Sequence, residues 1–265
     1  MKIKVLGCSG GIGPGLKTTS FLINDSVLLD AGSGLDSLSI EEMLNIRHVL
    51  LTHAHIDHIL GLPLMLAMIY DRHQHQIQVH ALPSVVQALK HHIFNWTIWP
   101  DFTRLPEHAP IVCLNALNIA EELQVGQLSV MPLPALHPSP GVGYFLASGG
   151  ASFAFTGDSS FHPPFWSSIN RLRPDMVIAD ISFTAEANTL AADSGHMTID
   201  QLSSALSFLD YQPEIRPTHF KVGFEQELTE LCKDFKSVVV KPLVHGEEII
   251  LAPDLPKNAV QNNPV

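Results

Sequence analysis

The chain is poor in three things that would each have fixed its class. Only three cysteines occur in 265 residues, Cys8, Cys113 and Cys232, too few and too scattered for a disulfide framework or a Cys-rich zinc site. Lys and Arg together number 15 against 26 Asp and Glu, a net charge of −11, which disfavours a long nucleic-acid track. No apolar run approaches the roughly 20 residues of a membrane helix. The N-terminal Met1-Lys2-Ile3-Lys4-Val5-Leu6-Gly7 is too short in its apolar part for a signal peptide and reads as a first strand. These absences lead to the expectation of a soluble cytoplasmic protein. With 46% hydrophobic residues the chain has ample material for a buried core.

Histidine is abundant. There are 15, as many as Lys and Arg combined, and three of them crowd with an aspartate into Thr52-His53-Ala54-His55-Ile56-Asp57-His58. This stretch follows the apolar run Val49-Leu50-Leu51 and continues into Ile59-Leu60-Gly61-Leu62-Pro63. Imidazole and carboxylate are the side chains that hold zinc and its first-row neighbours. Similar groups recur directly after other strand-like runs: His137 after Val130–Leu136, Asp158 after Phe153–Gly157, Asp180 after Val177–Ala179, and His219 after Ile215–Thr218. Loops at one edge of a sheet converge, so this repetition points to an assembled site.

Periodicity and turn residues predict strands at 2–7, 19–24, 26–30, 47–51, 76–81, 111–114, 127–131, 143–147, 152–156, 176–180, 214–218, 237–240 and 248–251. They predict helices at 36–44, 59–70, 84–92, 164–172, 199–209 and 225–235. A hairpin turn is expected at Ser148-Gly149-Gly150, and a loosely held end from Pro253. The glycines at 7, 10, 11, 13 and 15 complete neither G-x-G-x-x-G nor a P-loop, and read as a loop at the rim of a site. The aromatic stretch 94–102 is non-regular; it is core, a lid over a planar group, or a homodimer interface. No linker interrupts the chain, so residues 1–265 read as one domain with two sheets face to face and helices outside.

The order H-x-H-x-D-H, then His137, Thr156-Gly157-Asp158 and His219, resembles the metallo-β-lactamase fold in its dinuclear hydrolase form. That likeness implies an α/β, four-layer αββα sandwich of two mixed sheets flanked by helices. Residues 52–63, His92–Asp101, Gly195-His196-Met197-Thr198 and Thr218-His219-Phe220-Lys221 are similar to the class II 3′,5′-cyclic-nucleotide phosphodiesterases, with Ile56 where leucine is usual. By resemblance, His53, His55 and His137 would hold one divalent metal and Asp57, His58 and His219 a second, with Asp158 bridging. Zinc is the default, with iron or manganese as alternatives. Asp57 and His196 are the expected catalytic residues, His196 as proton donor to the leaving oxygen, and Asp180 is expected to orient a ligating histidine. The implied substrate is a small anionic phosphodiester, cyclic AMP or cyclic GMP. A ribonuclease Z-like endonuclease, a lactonase or arylsulfatase on the same fold, and a non-catalytic metal- or ligand-binding module are the alternatives. His73, His75, His91, His92, His108, His162 and His245 have no expected role in the site.

Overall fold

The computed structural model describes residues 1–252; the end expected from Pro253 lies outside the described residues. The first half runs β1 (Lys2–Gly7), β2 (Ser20–Ile23), β3 (Val27–Leu29), α1 (Ile40–Asn45), β4 (His48–Leu50), α2 (Ile56–Ile59), α3 (Gly61–Ile69), β5 (Ile77–Ala81), α4 (Pro83–Ala88) and β6 (Val112–Ala116). The second runs β7 (Leu123–Val125), β8 (Leu128–Pro134), β9 (Val142–Ser148), β10 (Ala151–Phe155), α5 (Pro163–Leu172), β11 (Met176–Asp180), α6 (Asn188–Ser194), α7 (Ile199–Leu206), β12 (Glu214–Thr218), α8 (Glu225–Leu231) and β13 (Glu248–Ile250).

Two mixed sheets result. A seven-stranded sheet has the order β13-β1-β2-β3-β4-β5-β6, and a six-stranded one β12-β11-β10-β9-β8-β7. Strands β3 to β6 are parallel, as are β10 to β12. Period-two alternation explains the layers, because successive side chains leave opposite faces. Leu50, Met176 and Ile178 join the core between the sheets with Phe21, Phe153 and Phe155. Val49 and Leu51 face α3 and α4 through Leu62, Met65, Leu66 and Val85. Val177 and Ala179 meet Phe165, Trp166 and Ile169 of α5 and Leu202 of α7. Helix, sheet, sheet and helix therefore stack in the expected four layers.

Several boundaries differ from expectation. The helix expected over 36–44 is a 3₁₀ turn at Ser33–Ser37 followed by α1, which starts at the capping box of Ser39 and Glu42. The one expected over 59–70 begins at Ile56 and breaks at Leu60, since Gly61 N donates to Ala31 O (2.7 Å) and Ala31 N to His58 O (2.7 Å). The strand expected at 237–240 is a single bridge between Val240 and Ile215. Pro217 has no amide hydrogen to donate, which stops that ladder from continuing. The aromatic stretch divides: Phe94 and Phe102 are core, Trp96 and Ile98 are exposed. Among the described residues no helix is long and apolar enough to cross a membrane.

Candidate metal centre

Strands β3, β4, β8, β10, β11 and β12 all end at one edge, and the polar residues that follow them meet there. His53 and His55 lie in the loop after β4 and His58 in α2; His137 lies beyond β8, Asp158 beyond β10 and His219 directly after β12. Asp158 is central. Its Oδ2 lies 3.3 Å from His58 Nε2, 3.4 Å from His219 Nε2 and 3.6 Å from His53 Nε2. Asp57 Oδ2 is 3.5 Å from His219 Nε2 and 3.7 Å from His58 Nε2, while His55 Nδ1 and His137 Nε2 stand 3.3 Å apart. Two groups share Asp158: His53, His55 and His137 on one side, Asp57, His58 and His219 on the other, the donor atoms of each group lying within 4.8 Å of one another. These are the seven residues named from the sequence.

The opposite nitrogen of four of these histidines is engaged, which fixes the tautomer and leaves a lone pair facing inward. His58 Nδ1 donates to Asp30 Oδ2 (2.8 Å) and His137 Nδ1 to Gly195 O (3.0 Å). Thr52 Oγ1 donates to Asp30 Oδ2 (2.8 Å) and so accepts from His53 Nδ1 (3.0 Å). His219 Nδ1 donates to Ser182 Oγ (3.1 Å), which donates to Asp180 Oδ1 (2.7 Å). Asp180 thus reaches the ligating His219 through Ser182, its Oδ1 standing 3.8 Å from His219 Nδ1. Its other oxygen accepts from His196 Nδ1 at 2.7 Å.

Of the eight buried side-chain atoms without a hydrogen-bond partner among the described residues, four converge here: His53 Nε2, His58 Nε2, His219 Nε2 and Asp158 Oδ1. Buried polar groups are rarely left so, and four converging lone-pair donors are what a cation requires. The electrostatics agree. Burial holds His53 well below its ordinary pKa, keeping it neutral and able to donate to an ion. Burial would raise Asp158, but His219 and His58 outweigh it and hold the carboxyl well below the usual range. His58 runs the other way: burial opposes its charge, but the carboxylates of Asp158 and Asp30 overcome this and raise its pKa well above the ordinary value, so a cation would bind there by displacing a proton.

Backbone geometry is special where the site needs it. Asp30 (φ 54°) and His219 (φ 66°) are left-handed, a conformation non-glycine residues hold only where the surroundings impose it. Gly157 (φ 61°) makes the turn that presents Asp158; a Cβ there would lie 2.7 Å from Val142 O. Asp30 and Ser182 are the members of the site that the motifs do not announce, and Thr52, which opens the first motif, gains its role from the contacts of its hydroxyl. His91, His92, His108 and His245 are exposed, and with His73, His75 and His162 they stay outside the clusters.

A family profile described as the Beta-lactamase superfamily domain matches residues 26–220, well over half of the chain. The chain belongs to the metallo-β-lactamase fold superfamily. This hydrolase fold implies divalent ions, and the orphaned donors around Asp158 fit them. Among curated relatives, the 3′,5′-cyclic-nucleotide phosphodiesterase of Aliivibrio fischeri is 28% identical over 92% of this chain and 87% of its own length. Among solved structures, unliganded yeast PDE1 superposes with a TM-score of 0.77 at 17% identity, covering 94% of this chain and 98% of its own. Human tRNase Z, short form, superposes at 0.70 with 16% identity, covering 95% and 100%. At those identities the two structures establish the fold alone.

Proposed function

We propose that the protein is a dinuclear metal-dependent phosphodiesterase that hydrolyses a 3′,5′-cyclic nucleotide, cyclic AMP or cyclic GMP, to the 5′-monophosphate. The observation that carries this reading is the pair of donor clusters hinged on one carboxylate, Asp158, with a histidine–aspartate pair beside them. The end-to-end similarity to a cyclic-nucleotide phosphodiesterase supports it. His53, His55 and His137 would hold one ion, Asp57, His58 and His219 the other, and Asp158 both. Five imidazoles and two carboxylates suit zinc, with iron or manganese as alternatives. Two bound ions supply an acidified water and stabilise charge on the phosphate oxygens.

The chain's own residues supply the rest. Asp57, half-buried at the mouth, is kept ionised: burial opposes this, but the His219 hydrogen bond and the nearby imidazoles prevail. His196 lies above the plane of the His219 ring, centroids 5.0 Å apart, with its Nδ1 tied to Asp180. Burial disfavours its protonation, yet Asp180 overcomes this and raises its pKa, so its free Nε2 can hold a proton for the departing 3′ oxygen. Opening the cyclic phosphodiester breaks the P–O3′ bond and expels an alkoxide that needs that proton; a nitrophenolate does not. His196→Gln is therefore expected to lower kcat on cyclic AMP by ~10²-fold or more while bis(p-nitrophenyl) phosphate is affected far less. Equal losses on both would make His196 structural.

The reading itself is tested by turnover of metal-loaded protein on cyclic AMP, cyclic GMP, bis(p-nitrophenyl) phosphate, a lactone and precursor tRNA. Cyclic nucleotides should be cleaved to 5′-monophosphates. Cleavage of precursor tRNA alone would favour the second reading, an endonuclease, which the fold of human tRNase Z supports and the net charge of −11 opposes.

A further inference from the structure

Another pair of imidazoles meets outside the clusters around Asp158. His48 opens β4 and His80 lies in β5; the strands are parallel, with His48 opposite Gln78 and Leu50 opposite His80. Period two therefore puts His48, Leu50, Gln78 and His80 on one face of the seven-stranded sheet. Leu50 joins the core between the sheets, so both histidines belong to that inner face, where they are half-buried. The turn between β7 and β8 lies against His48: a Cβ on Gly126 would stand 3.8 Å from its Cδ2 and 4.0 Å from its Nε2.

His48 Nδ1 and His80 Nε2 face each other at 3.3 Å, with ring centroids 5.5 Å apart. That is longer than about 2.7–3.2 Å, the range of a well-formed N–H···O hydrogen bond. It matches two nitrogens that share one ion: donors about 2.0–2.1 Å from a tetrahedral zinc stand about 3.3–3.4 Å apart. His55 Nδ1 and His137 Nε2, in the centre at Asp158, have the same 3.3 Å separation. Charge favours the same reading. Burial, then Arg47 and His75, lower the pKa of His48, while burial and His48 push His80 down to about 4. No carboxylate offsets these effects, so both rings stay neutral at neutral pH and free of proton competition. We propose that His48 and His80 form a further metal site, which takes a divalent cation of the zinc, copper and nickel class through their facing nitrogens. The ion selects the tautomers protonated at His48 Nε2 and His80 Nδ1, in which both facing nitrogens carry a lone pair. Because the rings are half-exposed, water completes the coordination. The bound ion braces β4, the strand that leads into His53 and His55, against its neighbour β5. This assignment does not depend on the phosphodiesterase reading.

The experiment uses zinc alone. Wild type, His48→Gln, His80→Gln and the control His91→Gln, which alters an exposed histidine, are dialysed against buffered free zinc at neutral pH. Bound ions per chain are then counted, and circular dichroism reports that each fold persists. Wild type and His91→Gln should hold one ion that the other two variants lose or bind about tenfold or more weakly. Imidazole ¹⁵N spectra of wild type need no variant to fold. As zinc is added beyond that held at Asp158, His48 Nδ1 and His80 Nε2 should both move to metal-bound positions, with their opposite nitrogens protonated. Equal zinc in wild type and both variants overturns the site. So do facing nitrogens that keep a proton between them at saturating zinc, which would make the pair a hydrogen bond only.

Discussion

Asp158→Ala is expected to lower turnover of cyclic nucleotide by at least ~10³-fold, several kcal/mol of transition-state stabilisation. The size of the effect follows from position. One oxygen of this buried carboxylate stands within 3.6 Å of three imidazole nitrogens drawn from both ligand clusters. Its loss removes a donor from each proposed ion at once, and nothing nearby substitutes for it: Asp57 serves one side, and Asp180 is committed to His196, Ser159 and Ser182. Metal analysis should find two ions per chain in wild type and at most one in the variant. A variant that retains two ions and ordinary kcat would refute the shared-carboxylate arrangement. Asp57→Ala should instead weaken only the side held with His58 and His219.

The second large effect is expected at Asp30, which is not itself a proposed ligand but holds one, His58. It is fully buried and accepts from His58 Nδ1, Thr52 N and Thr52 Oγ1. Burial raises its pKa, and His58 and the Thr52 hydrogen bonds oppose that rise without cancelling it. Asp30→Asn keeps the shape but presents an amide that can donate where His58 must donate. The imidazole then favours its other tautomer, with the proton on Nε2, the atom that should face the ion. Metal affinity at that side should fall ~10–100-fold, read by titration against a chelating indicator. Asp30→Ala goes further, leaving a buried imidazole and a buried hydroxyl unpaired, and should cost about 3 kcal/mol or more in denaturant unfolding of the metal-free protein. Unchanged affinity in the Asn variant would show that this aspartate is only packing.

Much of this was readable from the chain because ligands sit where apolar runs stop. His137, Asp158 and His219 each follow a strand whose burial is written as alternating or continuous hydrophobicity, and the H-x-H-x-D-H order links them to a fold. Asp30 escaped notice because Asp-Ala-Gly-Ser-Gly reads as an ordinary turn. Its importance comes from β3 lying parallel beside β4, which aligns the end of one strand with Thr52 beyond the other. Ser182 is a single hydroxyl in a loop, and only tertiary geometry places it between His219 and Asp180. Strand β7 is three residues long, too short for periodicity to register. Helix α6 sits in an alanine-rich segment with one buried residue, so it carries almost no amphipathic pattern. The break at Gly61 likewise depends on a carbonyl from the distant segment at Ala31.

The donors come from both sheets. His53, His55, Asp57 and His58 follow a strand of the seven-stranded sheet; His137, Asp158 and His219 follow strands of the six-stranded one. Ions held between them would act as a clasp across the seam of the sandwich, added to the hydrogen bonds that already cross it there, Val142 N to Thr52 O (3.0 Å) and His219 N to Cys8 O (2.7 Å). Occupancy and folding are then linked equilibria, with each ion adding RT ln(1 + [M]/Kd) to the unfolding free energy. A chelator would do more than silence such a protein: it would loosen the seam at one end, and the melting temperature would follow free metal concentration.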